Sequence, residues 1–233
     1  MRIYVDALEM IKEVERDLFE MGTNVQSHTV QDRDVHDDPN FRTIELFGYG
    51  YTLLNLDETN LHRMMDHTKT NYAWALSESV DRVQPTLINP GGTYLMDEGL
   101  WAKYVRKDGR FAYTYNERIR TQLERTIQEL RAKPRTRQAV ITVYDKSDMS
   151  NWGGVDRVPC SMHYQFAERG GKLNVIYVMR SCDFLKHFAS DVYFASALLR
   201  HVAVQTGMQV GALHHFLGSL HAFKGDMDRR GIF

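Results

Sequence analysis

Apolar residues recur at the three-to-four-residue spacing of an amphipathic helix in several parts of the chain. Near the start, the spacing is marked by Leu8, Ile11, Val14 and Leu18. Further predicted helices cover residues 60–79, 119–132 and 191–206. Pro134 is predicted to end the helix that precedes it, because proline lacks the backbone N–H that a continuing helix needs.

Denser apolar runs, rich in β-branched and aromatic residues, predict strands. These runs cover residues 43–56, 138–144, 163–166, 172–179 and 212–217. Gly48 and Gly50 interrupt the first run and predict two strands joined by a turn or bulge. The polar stretches 23–40 and 84–93 are predicted to be loops. Helices and strands mixed in this order predict a single α+β domain over residues 1–233.

The composition is that of an ordinary globular protein. Of 233 residues, 43% are hydrophobic and 25% are charged, which argues against a disordered, collagen-like or coiled-coil chain. The 29 Lys and Arg residues nearly balance the 30 Asp and Glu residues, so the formal net charge is -1. A general nucleic-acid binder usually carries a basic surplus, so we expect no specific nucleic-acid partner.

Cysteine usage and the lengths of the apolar runs indicate the compartment. Cys160 and Cys182 are too few for a disulfide framework. No apolar run approaches the ~20 residues of a membrane helix, and residues 1–20 lack the apolar core of a signal peptide. We therefore predict a cytoplasmic protein without a membrane partner.

Two short segments carry side chains suited to chemistry. Cys160 follows Pro159 and precedes a predicted strand, which suits either an exposed nucleophile or a small buried core residue. Arg180 and Ser181 lie at the end of another strand. They offer donors for phosphate oxygens, while an ion pair between Arg180 and Asp183 is the alternative.

Other candidate segments have weaker signals. Arg135 and Arg137 either clamp an anion or form a solvated basic turn. The four histidines between positions 201 and 221 lack the spacing of metal ligands beside an acid, so we expect no metal. The sequence also contains neither a Walker motif nor a complete Gly-x-Gly-x-x-Gly fingerprint after a strand.

Four short motifs, taken together, resemble the thymidylate synthase family. They are Pro159-Cys160, Gln165-Phe166, Arg180-Ser181 with Asp183, and Gly218 with His221. Their order and spacing match over about residues 115–224, and residues 43–48 match more loosely. The resemblance implies the family's fold, which is a mixed β-sheet packed with helices that forms a homodimer through the sheet.

Within that family, the pattern is most similar to the phage deoxycytidylate hydroxymethylases. Asp191 stands where thymidylate synthase has the asparagine that reads uracil, and Ser219 replaces an aspartate. A carboxyl group accepts a hydrogen bond from the cytosine amino group and, when protonated, donates one to the ring nitrogen. Asp191 thus indicates a cytosine nucleotide, with a helix N-cap as its alternative role.

The resemblance implies a role for each matched side chain, with Cys160 adding to ring carbon 6 of the pyrimidine. The catalytic positions are Cys160, Tyr115 and Asn71. The nucleotide-binding positions are Arg137, Arg180, Ser181, Asp191, His221, Gln165 and Arg42. The folate-binding positions are Asp183 and Trp101. Arg137 is implied to act in the neighbouring subunit's site, and Arg33 is the alternative to Arg42 as a phosphate ligand.

Several positions depart from the family pattern. Asn71 stands where the family has a catalytic glutamate, and Glu78 is a later acid on the same predicted helix. Ser161 replaces the histidine that follows the nucleophile. Gln138 replaces a second phosphate-binding arginine, and Phe223 replaces a tyrosine that contacts the sugar.

The resemblance implies a cytidylate 5-hydroxymethyltransferase that prefers dCMP. Its co-substrate would be 5,10-methylenetetrahydrofolate, and its products 5-hydroxymethyl-dCMP and tetrahydrofolate. A dCMP 5-methyltransferase and a CMP 5-hydroxymethylase are the enzyme alternatives. A non-catalytic homologue that binds nucleotide or RNA is the alternative of another class. The expected location is the cytoplasm, including that of an infected bacterial host.

Overall fold

A mixed β-sheet lies at the centre of the computed structural model, which describes residues 1–30, 33–96, 101–153 and 156–232. The strands are β1 (Arg2–Tyr4), β2 (Thr23–Gln26), β3 (Thr29–Val30), β4 (Arg33–Asp34), β5 (Arg42–Leu53), β6 (Val140–Thr142), β7 (Ser161–Arg169), β8 (Lys172–Asp183) and β9 (Gln209–Phe223). Within the described ranges, seven strands form the main sheet in the order β1-β5-β9-β8-β7-β6, with β2 also paired to β5. The strands β3 and β4 form a separate pair.

Helices connect the strands and pack on the sheet or on one another. They are α1 (Ala7–Met21), α2 (Glu58–His67), α3 (Tyr72–Val83), α4 (Gly92–Met96), α5 (Tyr115–Ala132), α6 (Phe188–Thr206) and α7 (Lys224–Arg230). Short 3-10 turns cover Pro39–Phe41, Ala102–Tyr104 and Lys146–Asn151. The predicted helices at 119–132 and 191–206 are confirmed as α5 and α6, and α5 ends before Pro134 as expected.

The alternation of buried and more exposed side chains along β8 distinguishes the two faces of the sheet. Leu173, Val175, Tyr177 and Met179 are almost fully buried beneath the helical layer. The intervening Ile176 and Val178 are half-buried, and Arg180 is exposed. Because successive strand residues point to opposite faces, the second face of the sheet is partly open in this chain.

Three predicted segments differ from the structure. Residues 43–56 form one continuous strand, because pairing of β5 with β9 stays in register on both sides of Gly48, whose φ is 76°. Residues 23–40 contain strands as well as loops, since β2 pairs antiparallel with β5. Residues 60–79 form two helices, separated where Lys69 adopts a φ of 56°, which breaks the helical path.

Candidate active site

A pocket lies between α3, the end of β8 and the start of α6. Its walls include side chains predicted from the sequence to act together. Those that line it are Cys160, Tyr115, Ser181, Asp183, Asp191 and Trp101. They come from five separate parts of the chain, so the fold brings together residues that are up to 90 positions apart, from Trp101 to Asp191.

Cys160 is half-buried at the start of β7 and is held beside Arg180. The Arg180 Nε and Nη2 atoms donate to the carbonyls of Pro159 and Val158 at 2.8 and 3.0 Å. The same Nη2 lies 4.0 Å from the Cys160 Sγ. Burial raises the pKa of the thiol, while Arg180 and then Arg157 oppose that shift. Arg180 is therefore placed to stabilise the thiolate.

A hydroxyl network supports the strand that follows Cys160. Ser161 Oγ lies 2.6 Å from the Tyr177 hydroxyl and donates to the Tyr115 hydroxyl at 3.3 Å. The ring of Tyr177 stacks between those of Tyr164 and His215, with centroids 4.4 and 4.8 Å away. Burial raises the pKa of Tyr115, so its hydroxyl stays neutral at the edge of the pocket.

Asp191 is a buried acid in the first turn of α6. Burial raises its pKa to about 6, and the neighbouring His187 and Arg82 oppose the rise. The Cys182 thiol donates to Asp191 Oδ2 at 3.5 Å. Since α6 begins at Phe188 and its N-cap is His187, the alternative role of Asp191 as the N-cap is wrong.

Asp183 and His221 lie together at the end of the β8–β9 pair. They are register partners, and Asp183 lines the pocket. The Asp183 Oδ1 accepts from the backbone N–H groups of Leu185 and Lys186 at 3.1 and 3.3 Å. His221 Nδ1 lies 3.2 Å from Ser219 Oγ, and burial lowers the pKa of its imidazole. His221 is thus neutral near pH 7 and adjoins the pocket through Asp183.

One face of α3 supplies acidic and basic side chains to the pocket. Trp74, Glu78, Asp81 and Arg82 line the pocket. Their i, i+4, i+7 and i+8 spacing was a signal in the sequence for a shared helix face. Asn71 is exposed, lies outside the pocket lining and caps α3 by accepting from the Trp74 N–H at 3.1 Å. The acids on this helix that line the pocket are Glu78 and Asp81, and Asp81 accepts from the backbone N–H and the hydroxyl group of Thr93.

Aromatic rings form another wall, around a cation that the sequence did not single out. The Arg157 Cζ atom lies 5.0 Å from the Trp101 ring centroid and 5.3 Å from that of Tyr113. Tyr94 and Phe111 lie beside them in the pocket lining. Flat apolar surfaces flanked by a cation are suited to a planar heteroaromatic ligand.

The remaining predicted ligands lie outside the pocket lining. Arg137 is exposed before β6, and its carbonyl accepts from the Gln165 side chain at 3.0 Å. Arg42 is also exposed and donates to the Gln26 side chain at 3.3 Å. Arg33 donates to Asp38 at 3.2 Å. Gln165 and Arg42 are therefore engaged with protein groups away from the pocket.

Across the described ranges, no group of three or more His, Cys, Asp and Glu side chains is arranged to hold a metal ion. In the same part of the chain, no helix is both long and apolar enough to span a membrane.

Sequence comparisons find relatives for much of the chain. Residues 73–230 match the family model described as thymidylate synthase. A protein of Methanosarcina barkeri is 31% identical over 125 residues, which are 51% of this chain and 56% of that protein. Thymidylate synthase of Rhizorhabdus wittichii is 26% identical over 177 residues, which are 70% of this chain and 56% of the relative. The matched part thus spans little more than half the length of these curated relatives.

Solved structures share the fold. Thermostable thymidylate synthase A from Bacillus subtilis superposes with a TM-score of 0.76, covering 98% of this chain and 83% of its own. Thymidylate synthase from T4 phage gives a TM-score of 0.71, covering 94% and 78%. Each is 16% identical to this chain, so the likeness concerns the fold alone. The predicted α+β fold, with a mixed sheet packed by helices, is confirmed.

Proposed function

Because the chain belongs to the thymidylate synthase family, we propose that it transfers a one-carbon unit to ring carbon 5 of a cytosine nucleotide. The co-substrate is 5,10-methylenetetrahydrofolate, which supplies the one-carbon unit, and the products are 5-hydroxymethyl-dCMP and tetrahydrofolate. The observation that carries this proposal is the shared pocket of Cys160 and the buried Asp191. A single bound nucleotide would therefore contact both the nucleophile, Cys160, and the acid that recognises the base, Asp191.

The state of Asp191 supports cytosine as the base. With a pKa of about 6, raised by burial, the carboxyl group has a protonated fraction close to neutral pH. The protonated form donates to the cytosine ring nitrogen and accepts from the amino group, whereas uracil presents the opposite pattern at these two positions. The ionised form has acceptors only, so it pairs with the cytosine amino group but offers no donor to the uracil carbonyl.

In this proposal, Cys160 and the residues around it carry out the steps of the reaction. Cys160 adds to ring carbon 6, which makes carbon 5 nucleophilic, and Arg180 favours its thiolate from 4.0 Å. Glu78 is the acid–base residue on α3 in place of Asn71, because Glu78 lines the pocket. Tyr115 contributes a neutral hydroxyl that is held by Ser161.

Phosphate and sugar contacts complete the nucleotide site. Ser181 and the exposed Arg180 bind the phosphate, and Arg137 reaches the same phosphate from the neighbouring subunit of a homodimer. His221, neutral because burial lowers its pKa, contacts the sugar hydroxyl. Phe223 adds no hydroxyl there. The presence of Arg137 and Ser181, rather than Phe223, is what favours deoxyribose over ribose as the sugar in this proposal.

The pocket lining also suits the pterin ring of a folate. Trp101, Phe111 and Tyr113 provide an aromatic wall, and the carboxyl group of Asp183 offers an acceptor for ring N–H groups. Burial raises the pKa of Asp183, while His221 and Lys186 oppose the rise. These residues bind and orient the pterin ring.

Product mass tests the proposal directly. The protein is incubated with methylenetetrahydrofolate and equimolar dCMP, CMP and dUMP, and the modified nucleotide and its added group are identified by mass spectrometry. We expect a hydroxymethyl group on dCMP. A methyl group on dCMP would retain the base assignment and refute the hydration step. Modified dUMP would refute the role given to Asp191.

A substitution of the nucleophile separates an enzyme from a binding homologue. Cys160→Ser is expected to lower turnover by at least about 10³-fold, because a nucleophile cannot be replaced by its neighbours. Binding of dCMP, followed by calorimetry, should remain within a few-fold of the wild type. A wild-type protein that binds dCMP and turns over none of the three nucleotides would favour the non-catalytic alternative.

A further inference from the structure

Cys182 is a buried thiol in the wall of the pocket. It lies on β8 between Ser181 and Asp183, and 2% of its surface is exposed. Burial raises the pKa of the thiol, so the sulfur keeps its proton at neutral pH. A buried, protonated thiol is a poor nucleophile, and the chemistry left to it is that of a weak hydrogen-bond donor.

The thiol donates to the carboxyl group of Asp191, which the proposed function assigns to the base. The Cys182 Sγ atom lies 3.5 Å from Asp191 Oδ2. Within the described ranges, no other hydrogen bond or ion pair reaches this carboxyl group. Asp191 Oδ1 is also absent from the enclosed, unpartnered polar atoms of the described residues. Oδ1 therefore keeps surface that is open to a ligand in the pocket.

A protonated carboxyl group exists in two forms that present opposite hydrogen-bonding patterns. The proton resides on either oxygen, so the group is a donor on one side and an acceptor on the other. One form matches the ring nitrogen and the amino group of cytosine, and the other form matches the ring N–H and the carbonyl of uracil. Selection between these bases therefore requires a neighbour that decides which oxygen carries the proton.

We propose that Cys182 is a positioning residue that makes Asp191 selective for cytosine. A carbonyl oxygen is a better acceptor than a hydroxyl oxygen, so donation by Cys182 favours Oδ2 as the carbonyl oxygen and leaves the proton on Oδ1. A carbonyl oxygen has two lone pairs, so Oδ2 accepts both from Cys182 and from the cytosine amino group. The Oδ1–H group then donates to the cytosine ring nitrogen. This role rests on the proposed function and deepens it, because it names the side chain that determines the preferred base.

Uracil requires the opposite arrangement of the carboxyl proton. Its carbonyl needs a proton on Oδ2, which is the oxygen that the thiol of Cys182 contacts. The thiol would then lose its strong acceptor, and sulfur is only a weak acceptor for the Oδ2 proton. In a buried site, a donor without a good acceptor is costly. The contact between Cys182 and Asp191 thus disfavours uracil.

The ratio of kcat/KM for dCMP to kcat/KM for dUMP measures this effect, because the ratio cancels differences in the active fraction of each variant. Cys182→Ala removes the donor and should lower the ratio about three- to tenfold, which is the factor that one neutral hydrogen bond contributes. Cys182→Ser also loses the sulfur but keeps a donor, so its ratio should stay within about twofold of the wild-type value. Calorimetric dissociation constants for both nucleotides provide the same comparison without turnover.

A matched control is Ser196→Ala, on the same helix as Asp191. Ser196 is buried, and its hydroxyl group donates to the Val192 carbonyl at 2.8 Å. It does not line the pocket. Its loss also removes a buried donor, and it should leave the ratio at the wild-type value even where stability falls.

The outcomes separate the role of Cys182 from the proposed function. A wild-type protein that prefers dCMP, with an unchanged or higher ratio in a folded Cys182→Ala variant, refutes the role of Cys182 alone. Equal losses in Cys182→Ala and Cys182→Ser would assign the effect to packing and refute that role as well. A wild-type protein that prefers dUMP, or that binds neither nucleotide, refutes the proposed function itself. If Cys182→Ala fails to fold, Cys182→Val, which also lacks a donor, replaces it with the same expectation.

Discussion

Asp191 is a single buried acid whose ionisation is unfavourable for the folded protein. Its carboxyl group is buried beside Cys182 and His187, and burial raises its pKa to about 6 from the usual 3.8. The charged groups that face it from other elements are Arg82 on α3 and Asp183 on β8. A raised carboxyl pKa means that folding favours the protonated form and that ionisation destabilises the native state.

The pH dependence of stability follows from this shift. Between pH values of about 4 and 6 the native protein binds a proton that the unfolded chain has released, so stability falls as pH rises through this window. Asn cannot ionise, so Asp191→Asn should be more stable than the wild type by about 2–3 kcal/mol at a pH of about 7.5. Urea unfolding of both proteins at a pH of about 7.5 should show this difference in stability. The same measurement near pH 4 should show none.

A control substitution should behave in the opposite way. The side chain and backbone N–H of Ser147 lower the pKa of the exposed Asp145, so this carboxylate stabilises the native state when ionised. Asp145→Asn should lose stability at neutral pH and little in acid. An Asp191→Asn protein that is less stable than the wild type at neutral pH would contradict the destabilising effect assigned to Asp191.

The β8–β9 pair determines the site at the scale of elements. It aligns Ser181 with Ser219 and Asp183 with His221, so the proposed phosphate ligand and the proposed sugar ligand come from adjacent strands. Gly218 makes this pairing close, because a Cβ atom there would lie 2.7 Å from the Arg180 carbonyl oxygen. A side chain at position 218 would therefore force β9 away from the segment that carries Arg180.

Gly218→Ala tests this packing. The added methyl group cannot be accommodated without a backbone shift, so we expect a loss of about 1–3 kcal/mol in unfolding free energy. Nucleotide affinity should fall as well, since Arg180 and Ser181 move. Chemical denaturation and calorimetric titration with dCMP provide the two measurements. Gly92→Ala is the control, because its Cβ would lie 3.8 Å from Asp81 and meet only ordinary contacts.

At the scale of the whole molecule, the open face of the sheet lies next to Arg137. On this face Ile176 pairs with His214, and Val178 pairs with Phe216, which is 40% exposed. Gln165 pairs with Ile176 and holds the Arg137 carbonyl. Exposed apolar residues in adjacent strands favour association of two copies through this face, which would place Arg137 at the interface.

Mixed dimers test whether Arg137 acts in the neighbouring site. Arg137→Ala and Cys160→Ser should each be nearly inactive alone. An equal mixture that exchanges subunits should recover about one quarter of wild-type activity, because half of the randomly paired dimers contain one intact site. Activity after joint refolding, with mass by light scattering, provides the measurement.

The matched control for mixed dimers uses a residue that acts within its own subunit. Arg180 contacts Pro159 and Cys160 of the same chain. A mixture of Arg180→Ala with Cys160→Ser therefore contains no intact site and should stay inactive. Equal recovery in both mixtures would contradict the assignment of Arg137 to the neighbouring subunit.

Much of the architecture could be predicted because it depends on local periodicity. The helices α1, α5 and α6 bury the faces that their apolar spacing indicated, and β7, β8 and β9 extend the predicted strands by a few residues. Cys160, Ser181 and Asp183 lie at the ends of strands, and those ends meet at one pocket. The sheet fixes the position of a residue at the end of a strand. The order of the motifs along the chain was therefore enough to predict that these residues lie together.

The sequence by itself thus determined the fold class, and it predicted that Cys160 and Asp191 belong to one site, whose lining they share. Only the tertiary structure decided which side chains of α3 reach the pocket. The left-handed backbone of Lys69 separates α2 from α3 and resets the helical phase, so positions cannot be counted through it. For this reason Asn71 caps a helix, while Glu78 and Arg82 face the pocket with Cys160.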